Sequence, residues 1–172
     1  MGVSLILGGA RSGKSAHAQA EAEAWAAGRG APLVFIATGQ AFDAEMSERI
    51  ARHQADRDAR WRTVEAPLDL AGALGDAAPG EAVVVDCLTL WLSNSMLAED
   101  GGHAARTTAL LVALGRFRDE AWLVSNEVGW GVVPDNALAR RFRDEAGRLH
   151  QAVAALAGSV TLVVAGLPLR LK

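Results

Sequence analysis

The chain has little that would place it outside a reducing compartment or across a membrane. A single cysteine, Cys87, in 172 residues excludes an internal disulfide and suits a reducing cytosol. Its neighbours Val83, Val84, Val85 and Leu88 mark it as a buried small hydrophobe rather than a nucleophile. No basic segment followed by a long apolar run opens the sequence, and Leu5-Ile6-Leu7 is far too short to span a bilayer. A soluble cytoplasmic protein, not stably inserted in a membrane, is the expectation. Positive charge is not in surplus either: 17 Lys and Arg against 20 Asp and Glu leave a net charge of −3. With no basic, aromatic-studded surface, a nucleic-acid partner is not expected. Internal repeats, low-complexity tracts and linkers are also missing. A hydrophobic content of 51% suits one domain, residues 1–172, with a real core.

What is present starts at Gly8-Gly9-Ala10-Arg11-Ser12-Gly13-Lys14-Ser15, which fits G-x-x-x-x-G-K-[ST]. A short β-prone stretch, 3–7, precedes it, and a segment dense in Ala, Gln and Glu, 16–27, follows as a helix. Strand, glycine-rich turn and helix in that order make a phosphate cradle. The turn's N–H groups and the helix N-terminus face an anion, Lys14 neutralises β/γ-phosphate oxygens, and the Ser15 hydroxyl can ligate Mg²⁺. The chain is therefore expected to bind a nucleoside triphosphate.

Further apolar runs at 33–37, 82–85, 122–125 and 160–165 alternate with helical segments at 43–60, 88–97, 104–120 and 136–157. Short continuous runs of this kind read as strands buried on both faces of a parallel sheet. In the last helix Leu138, Phe142, Glu145, Leu149, Val153 and Leu156 share one face. The alternation predicts an α/β P-loop fold with a mostly parallel central sheet and helices on both faces.

Three other places carry candidate chemistry. Asp86 closes the run 82–86, where a P-loop protein puts its second metal-directed carboxylate; capping of the next helix is the alternative. The strand ending Ile36-Ala37-Thr38 leads to a helix in which Met46, Ile50, His53 and Arg57 share a face. On pattern alone a helical histidine is usually structural, and the nearby arginines pair as readily with Glu45, Glu48, Asp56 and Asp58 as with phosphate. The segment from Asn126 to Asn136 is a third loop at the ligand-binding edge. It offers Glu127 for charge chemistry and Trp130, set between Gly129 and Gly131, as a flat apolar surface for substrate.

Taken together, GGARSGKS, IATGQ with EMxxRIxxH, WRTVEAP, VVVDCLT with WLSN, and NEVGWGVVPDN with LARRFRDEAGRLHQ resemble the bifunctional adenosylcobinamide kinase/adenosylcobinamide-phosphate guanylyltransferase family. The likeness runs from Val3 to Lys172. It implies a RecA-like fold, phosphorylation of adenosylcobinamide with ATP or GTP, and then transfer of GMP from GTP to that phosphate through a covalent histidine intermediate. The position matching that histidine is His53. The resemblance also implies nucleotide contacts by Ile36, Ala37, Thr38, Arg52, Gln54 and Arg57, by the acidic positions Glu65 and Asp86, and a homotrimer. Gly39 stands where some relatives carry Ser, and Asp86 is Glu in some. His17, His103 and His150 match no catalytic position and are expected to be structural.

Other classes share parts of this pattern. A different small-molecule P-loop kinase would need the loop and Mg²⁺ but no nucleophilic histidine. A GTPase-type switch would need an [NT]-K-x-D guanine motif, which the sequence lacks.

Overall fold

A computed structural model of the chain describes residues 2–40 and 59–172. Among them the strands are β1 (Val3–Gly8), β2 (Leu33–Ala37), β3 (Trp61–Glu65), β4 (Ala82–Asp86), β5 (Glu120–Asn126), β6 (Ser159–Val164) and β7 (Leu167–Arg170). The helices are α1 (Lys14–Ala27), α2 (Leu70–Gly75), α3 (Leu88–Leu97), α4 (His103–Arg116) and α5 (Ala137–Leu156). One seven-stranded sheet runs β3-β2-β4-β5-β1-β6-β7, parallel throughout except for the antiparallel β6–β7 pair.

Burial on both faces explains the apolar runs. In β4, Val83 and Val85 pack on one side and Ala82 and Val84 on the other, all completely buried. Fully burying side chains of this size stabilises by roughly 1.5–3 kcal/mol each. On one face lies α1, whose stripe Ala18, Ala22 and Ala26 sits against Ile6, Val84 and Val124. Small side chains bring this helix close to the sheet and so hold the start of α1 near the end of β1. On the other face α2, α3, α4 and α5 bury Leu70, Leu88, Trp91, Leu110, Leu149 and Val153.

The P-loop helix begins at Lys14, two residues earlier than the composition suggests, because the glycine at 13 turns directly into it. The helix expected at 104–120 stops at Arg116, and Glu120 already belongs to β5, whose Trp122 and Leu123 need a strand's two faces. The helix expected at 43–60 falls on residues outside the described ones, except 59 and 60, which form a turn. In α5 the buried residues are Ala146, Leu149, His150 and Val153, whereas Leu138 and Leu156 are exposed.

Strands β3 and β7 and helix α2 are additions to the sequence reading. In β3 Trp61 is buried while Arg62, Thr63 and Glu65 are exposed, and Trp61 meets Phe35 edge-on at 6.2 Å. β7 is an edge strand containing Pro168, joined to β6 by Ala165-Gly166. Both linking residues have positive φ, 52° and 78°, as a type I′ hairpin requires.

Candidate active site

β1, β2, β3, β4 and β5 all end on the same edge of the sheet, with Gly8 beside Asn126, and Ala37 beside both Asp86 and Glu65. From β1 the chain crosses to β2, three places away, while β5 and β6 flank β1. That change of direction opens a crevice at the carboxyl end of β1, where α/β sheets bind ligands.

The segment Gly8–Ser15 fills this crevice as a cradle. Arg11 has φ 56° and Gly13 φ 94°, so the chain curls and then enters α1, whose first helical bond runs from His17 N–H to Gly13 O at 3.0 Å. No side chain caps that helix end, leaving its N-terminus open to an anion. Lys14, 7% exposed, donates from Nζ to Gly9 O at 3.0 Å, placing the ammonium over the loop itself. Ser15 follows, half-buried, on the first turn. Two other segments fix the cradle's walls: Gly166 N–H donates to Ser12 O at 2.9 Å and Glu127 N–H to Gly8 O at 3.0 Å. Gly8 is needed because a Cβ there would lie 2.6 Å from Val163 O and would also strike Ser12 Oγ. Ser12 Oγ is itself buried with no hydrogen-bond partner among the described residues, a polar group inside the cradle that the protein leaves unsatisfied.

Asp86 ends β4, two strands across from β1, roughly 10 Å at the usual strand spacing. It does not cap the next helix. That role belongs to Cys87, whose Sγ accepts from Leu90 N–H at 3.5 Å. The Asp86 carboxylate is therefore left half-buried at the crevice. Cys87 is 4% exposed, and burial, with Asp86 adding to it, pushes its thiol up to about 11, so it is the inert hydrophobe expected.

Ile36, Ala37 and Thr38 lie at the same edge, but Ile36 and Thr38 are completely buried. The Thr38 hydroxyl donates to Cys87 O at 2.7 Å and accepts from Cys87 N–H at 2.8 Å, and Asn94 Nδ2 binds Thr38 O at 2.8 Å. Thr38 thus ties the end of β2 to the start of α3 and sets the backbone beside Asp86. Glu65 is exposed on β3, four strands from β1, roughly 19 Å across the sheet. His53, Arg52, Gln54 and Arg57 lie outside the described residues.

The loop after β5 starts between the ends of β1 and β4. Trp130 is 73% exposed and Val132 95% exposed, while the Glu127 carboxylate turns inward and accepts from Gly129 N–H at 3.0 Å. Behind it is a group of buried polar residues: Thr89 and Ser125, which sequence reasoning passed over, and His150, which it expected to be structural. The available signal was a histidine next to Leu149 in an otherwise apolar helix face.

The family described as cobinamide kinase / cobinamide phosphate guanyltransferase matches residues 4–171. The chain belongs to that family. It is 52% identical to the bifunctional adenosylcobalamin biosynthesis protein CobP of Pseudomonas aeruginosa, covering 98% of this chain and 96% of the relative. It is 40% identical to the CobU protein of the same description from Salmonella typhimurium, over 98% of each. Among solved structures it resembles a KaiC-like protein from Pyrococcus horikoshii, with TM-score 0.54 and 15% identity over 94% of this chain and 70% of that one. It also resembles the flagellar accessory protein FlaH of Methanocaldococcus jannaschii, with TM-score 0.51 and 12% identity over 99% and 78%. The fold is thus that of a P-loop, RecA-like protein, and membership of the family makes the chain a cobinamide kinase and cobinamide-phosphate guanylyltransferase acting in cobalamin biosynthesis. Among the described residues no helix is long and apolar enough to cross a membrane.

Proposed function

We propose that this enzyme phosphorylates the hydroxyl on the aminopropanol arm of adenosylcobinamide, using ATP or GTP, and then converts the product to adenosylcobinamide-GDP. The observation that carries the reading is the Gly8–Ser15 cradle, with Lys14 folded over it, in a chain matching the family from residue 4 to 171. In the kinase step Lys14 offsets charge on the transferring phosphoryl group, and the open N-terminus of α1 holds the β-phosphate. Ser15 and Asp86 present hard oxygen donors of the kind that would hold Mg²⁺ beside the phosphates. Bound there, Mg²⁺ would draw charge from the phosphates.

In the second step His53 attacks the α-phosphorus of GTP. An N–P bond forms, the α–β anhydride breaks, and pyrophosphate leaves. A phosphate oxygen of adenosylcobinamide phosphate then displaces the histidine, so that the GMP ends on the corrinoid. Arg52, Gln54, Arg57, Glu65, Ile36, Ala37 and Thr38 belong to the nucleotide side of this scheme. Glu127 and Trp130 belong to the corrinoid side. The working unit is a homotrimer in the cytoplasm. An apolar sheet face supports association: Val164, Leu167 and Leu169, with Leu171 beyond the end of β7, are each more than half exposed.

The test is incubation with α-labelled GTP followed by mapping of the label. Acid-labile, base-stable label on His53, lost together with guanylyl transfer in His53→Ala while phosphorylation of adenosylcobinamide persists, is the expected result. Label surviving in that variant, or sitting on another residue, overturns the assignment.

A further inference from the structure

Behind the phosphate loop runs a chain of buried polar groups that links three elements. Asn126 N–H donates to Thr89 Oγ1 at 2.6 Å, Thr89 Oγ1 lies 3.0 Å from Ser125 Oγ, and Ser125 Oγ lies 2.7 Å from His150 Nε2. The other imidazole nitrogen of His150, Nδ1, stands 3.7 Å from Glu127 Oε2. Glu127 in turn is tied by its N–H to Gly8 O and by its carboxylate to Gly129 N–H. The chain therefore starts on α3, passes through β5 and α5, and ends at the root of the loop that carries Trp130.

The donors can be assigned by chemistry. At 3.7 Å Glu127 is too far for a hydrogen bond, yet near enough for its charge to favour a proton on the facing Nδ1 and to disfavour a lone pair there. With Nδ1 protonated, neutral His150 keeps Nε2 as an acceptor. Ser125 must then donate to Nε2 and accept from Thr89, whose oxygen accepts from Asn126. Read from the Glu127 end, the chain runs in one direction, and the Thr89 hydroxyl also lies against the buried Cys87 thiol. Burial lowers the His150 pKa and Glu127 partly opposes this, which keeps the ring neutral at physiological pH. Of the other ionisable groups on the neighbouring helices, His103 and Glu145 face each other at 3.6 Å.

A serine, a histidine and an acid in sequence resemble a hydrolytic triad. Ser125 is completely buried in the sheet, so no substrate can reach it. The arrangement must serve something else.

We propose that His150 is a positioning residue for the corrinoid side of the site: through the directed chain Thr89–Ser125–His150 it fixes the Glu127 carboxylate, and with it the loop 128–135, against the phosphate loop. The corrinoid role of that loop rests on the function proposed above, but the fastening does not.

Three measurements test it. Nitrogen-15 spectra of the intact enzyme should show His150 as the Nδ1–H tautomer, titrating below the ordinary 6.5. Hydrogen exchange in the amides of 128–135 should rise several-fold in His150→Leu and stay near the native rate in His150→Gln, whose amide keeps one acceptor and one donor. In the same two variants KM for the corrinoid should rise roughly tenfold in Leu and little in Gln, with KM for the nucleotide unchanged; tenfold corresponds to about 1.4 kcal/mol. Should His150→Leu not fold, Glu127→Gln removes the partly exposed partner, and the His150 pKa should fall further. An Nε2–H tautomer, native exchange in a folded His150→Leu, or a His150 titration unmoved by Glu127→Gln overturns the proposal. Altered exchange in an enzyme that leaves cobinamide untouched would instead count against the proposed function alone.

Discussion

Gly166 donates its N–H to Ser12 O at 2.9 Å, so the β6–β7 hairpin, at the edge of the sheet, braces the phosphate loop at its centre. Its Cα lies 3.3 Å from where a Cβ on Gly13 would sit, and Gly13 has φ 94°. Gly13→Ala must therefore bear a left-handed backbone, about 1–2 kcal/mol, and also press on main chain that cannot rotate away. The expected outcome is a protein that still folds but binds nucleotide at least about tenfold more weakly, since each 1.4 kcal/mol is a factor of ten. Calorimetric titration with GTP reads it, and native affinity would contradict the bracing.

Lys14 and Asp86 separate the electrostatic parts of the kinase step. Lys14→Ala removes the ammonium folded over the cradle and should slow phosphorylation by at least about 10², the usual scale for deleting such a stabiliser. Asp86→Asn keeps shape but not charge, and should shift the Mg²⁺ requirement to higher concentration with little loss of stability. Assays across a magnesium titration distinguish them: an unchanged profile for Asp86→Asn would return that residue to a structural role.

How much of this was legible in the sequence follows from what each signal depends on. The cradle was readable because strand, glycines, lysine and helix are contiguous, and local order is all it needs. Helix α3 was readable to its ends for the same reason. β3 was not, because WRTVE is half exposed and becomes a strand only by pairing with Leu33–Ala37. β7 hides behind Pro168 and is held by a turn at Ala165-Gly166, where only the glycine hints at positive φ. The Thr89–Ser125–His150 chain was invisible because its members come from three separate elements. For His53 the family resemblance alone pointed to a catalytic role.

Stability against pH should carry the mark of His150. Its folded-state pKa is lowered by burial, so the unfolded chain takes up a proton first as pH falls through about 6.5. Native stability from this group is thus complete above that value and is lost as pH falls towards the folded pKa. Asp100, held below 3.8 by its hydrogen bond from Arg106, loses its contribution only in the more acidic range. Urea midpoints measured from pH 7.5 to 5 should decline in the native protein and stay flatter in His150→Gln. Parallel curves would mean that another group titrates in that window.

Trp130 gives a prediction in which binding and stability part company. At 73% exposure it contributes little to the fold, so Trp130→Ala should change stability by no more than about 0.5 kcal/mol. As a corrinoid contact it has much to offer, because an indole can bury 150–250 Å², and covering about half of that at 25 cal/mol per Å² is worth about 2–3 kcal/mol. Part of this is lost to ordering the loop on binding, which leaves an expected rise in corrinoid KM of about tenfold. KM for GTP should stay where it was, since the nucleotide is held on the Gly8–Ser15 side. Sedimentation of the variant supplies the control. If the variant sediments as a smaller species than the native protein while corrinoid KM is native, Trp130 belongs to a subunit contact and its substrate role is wrong.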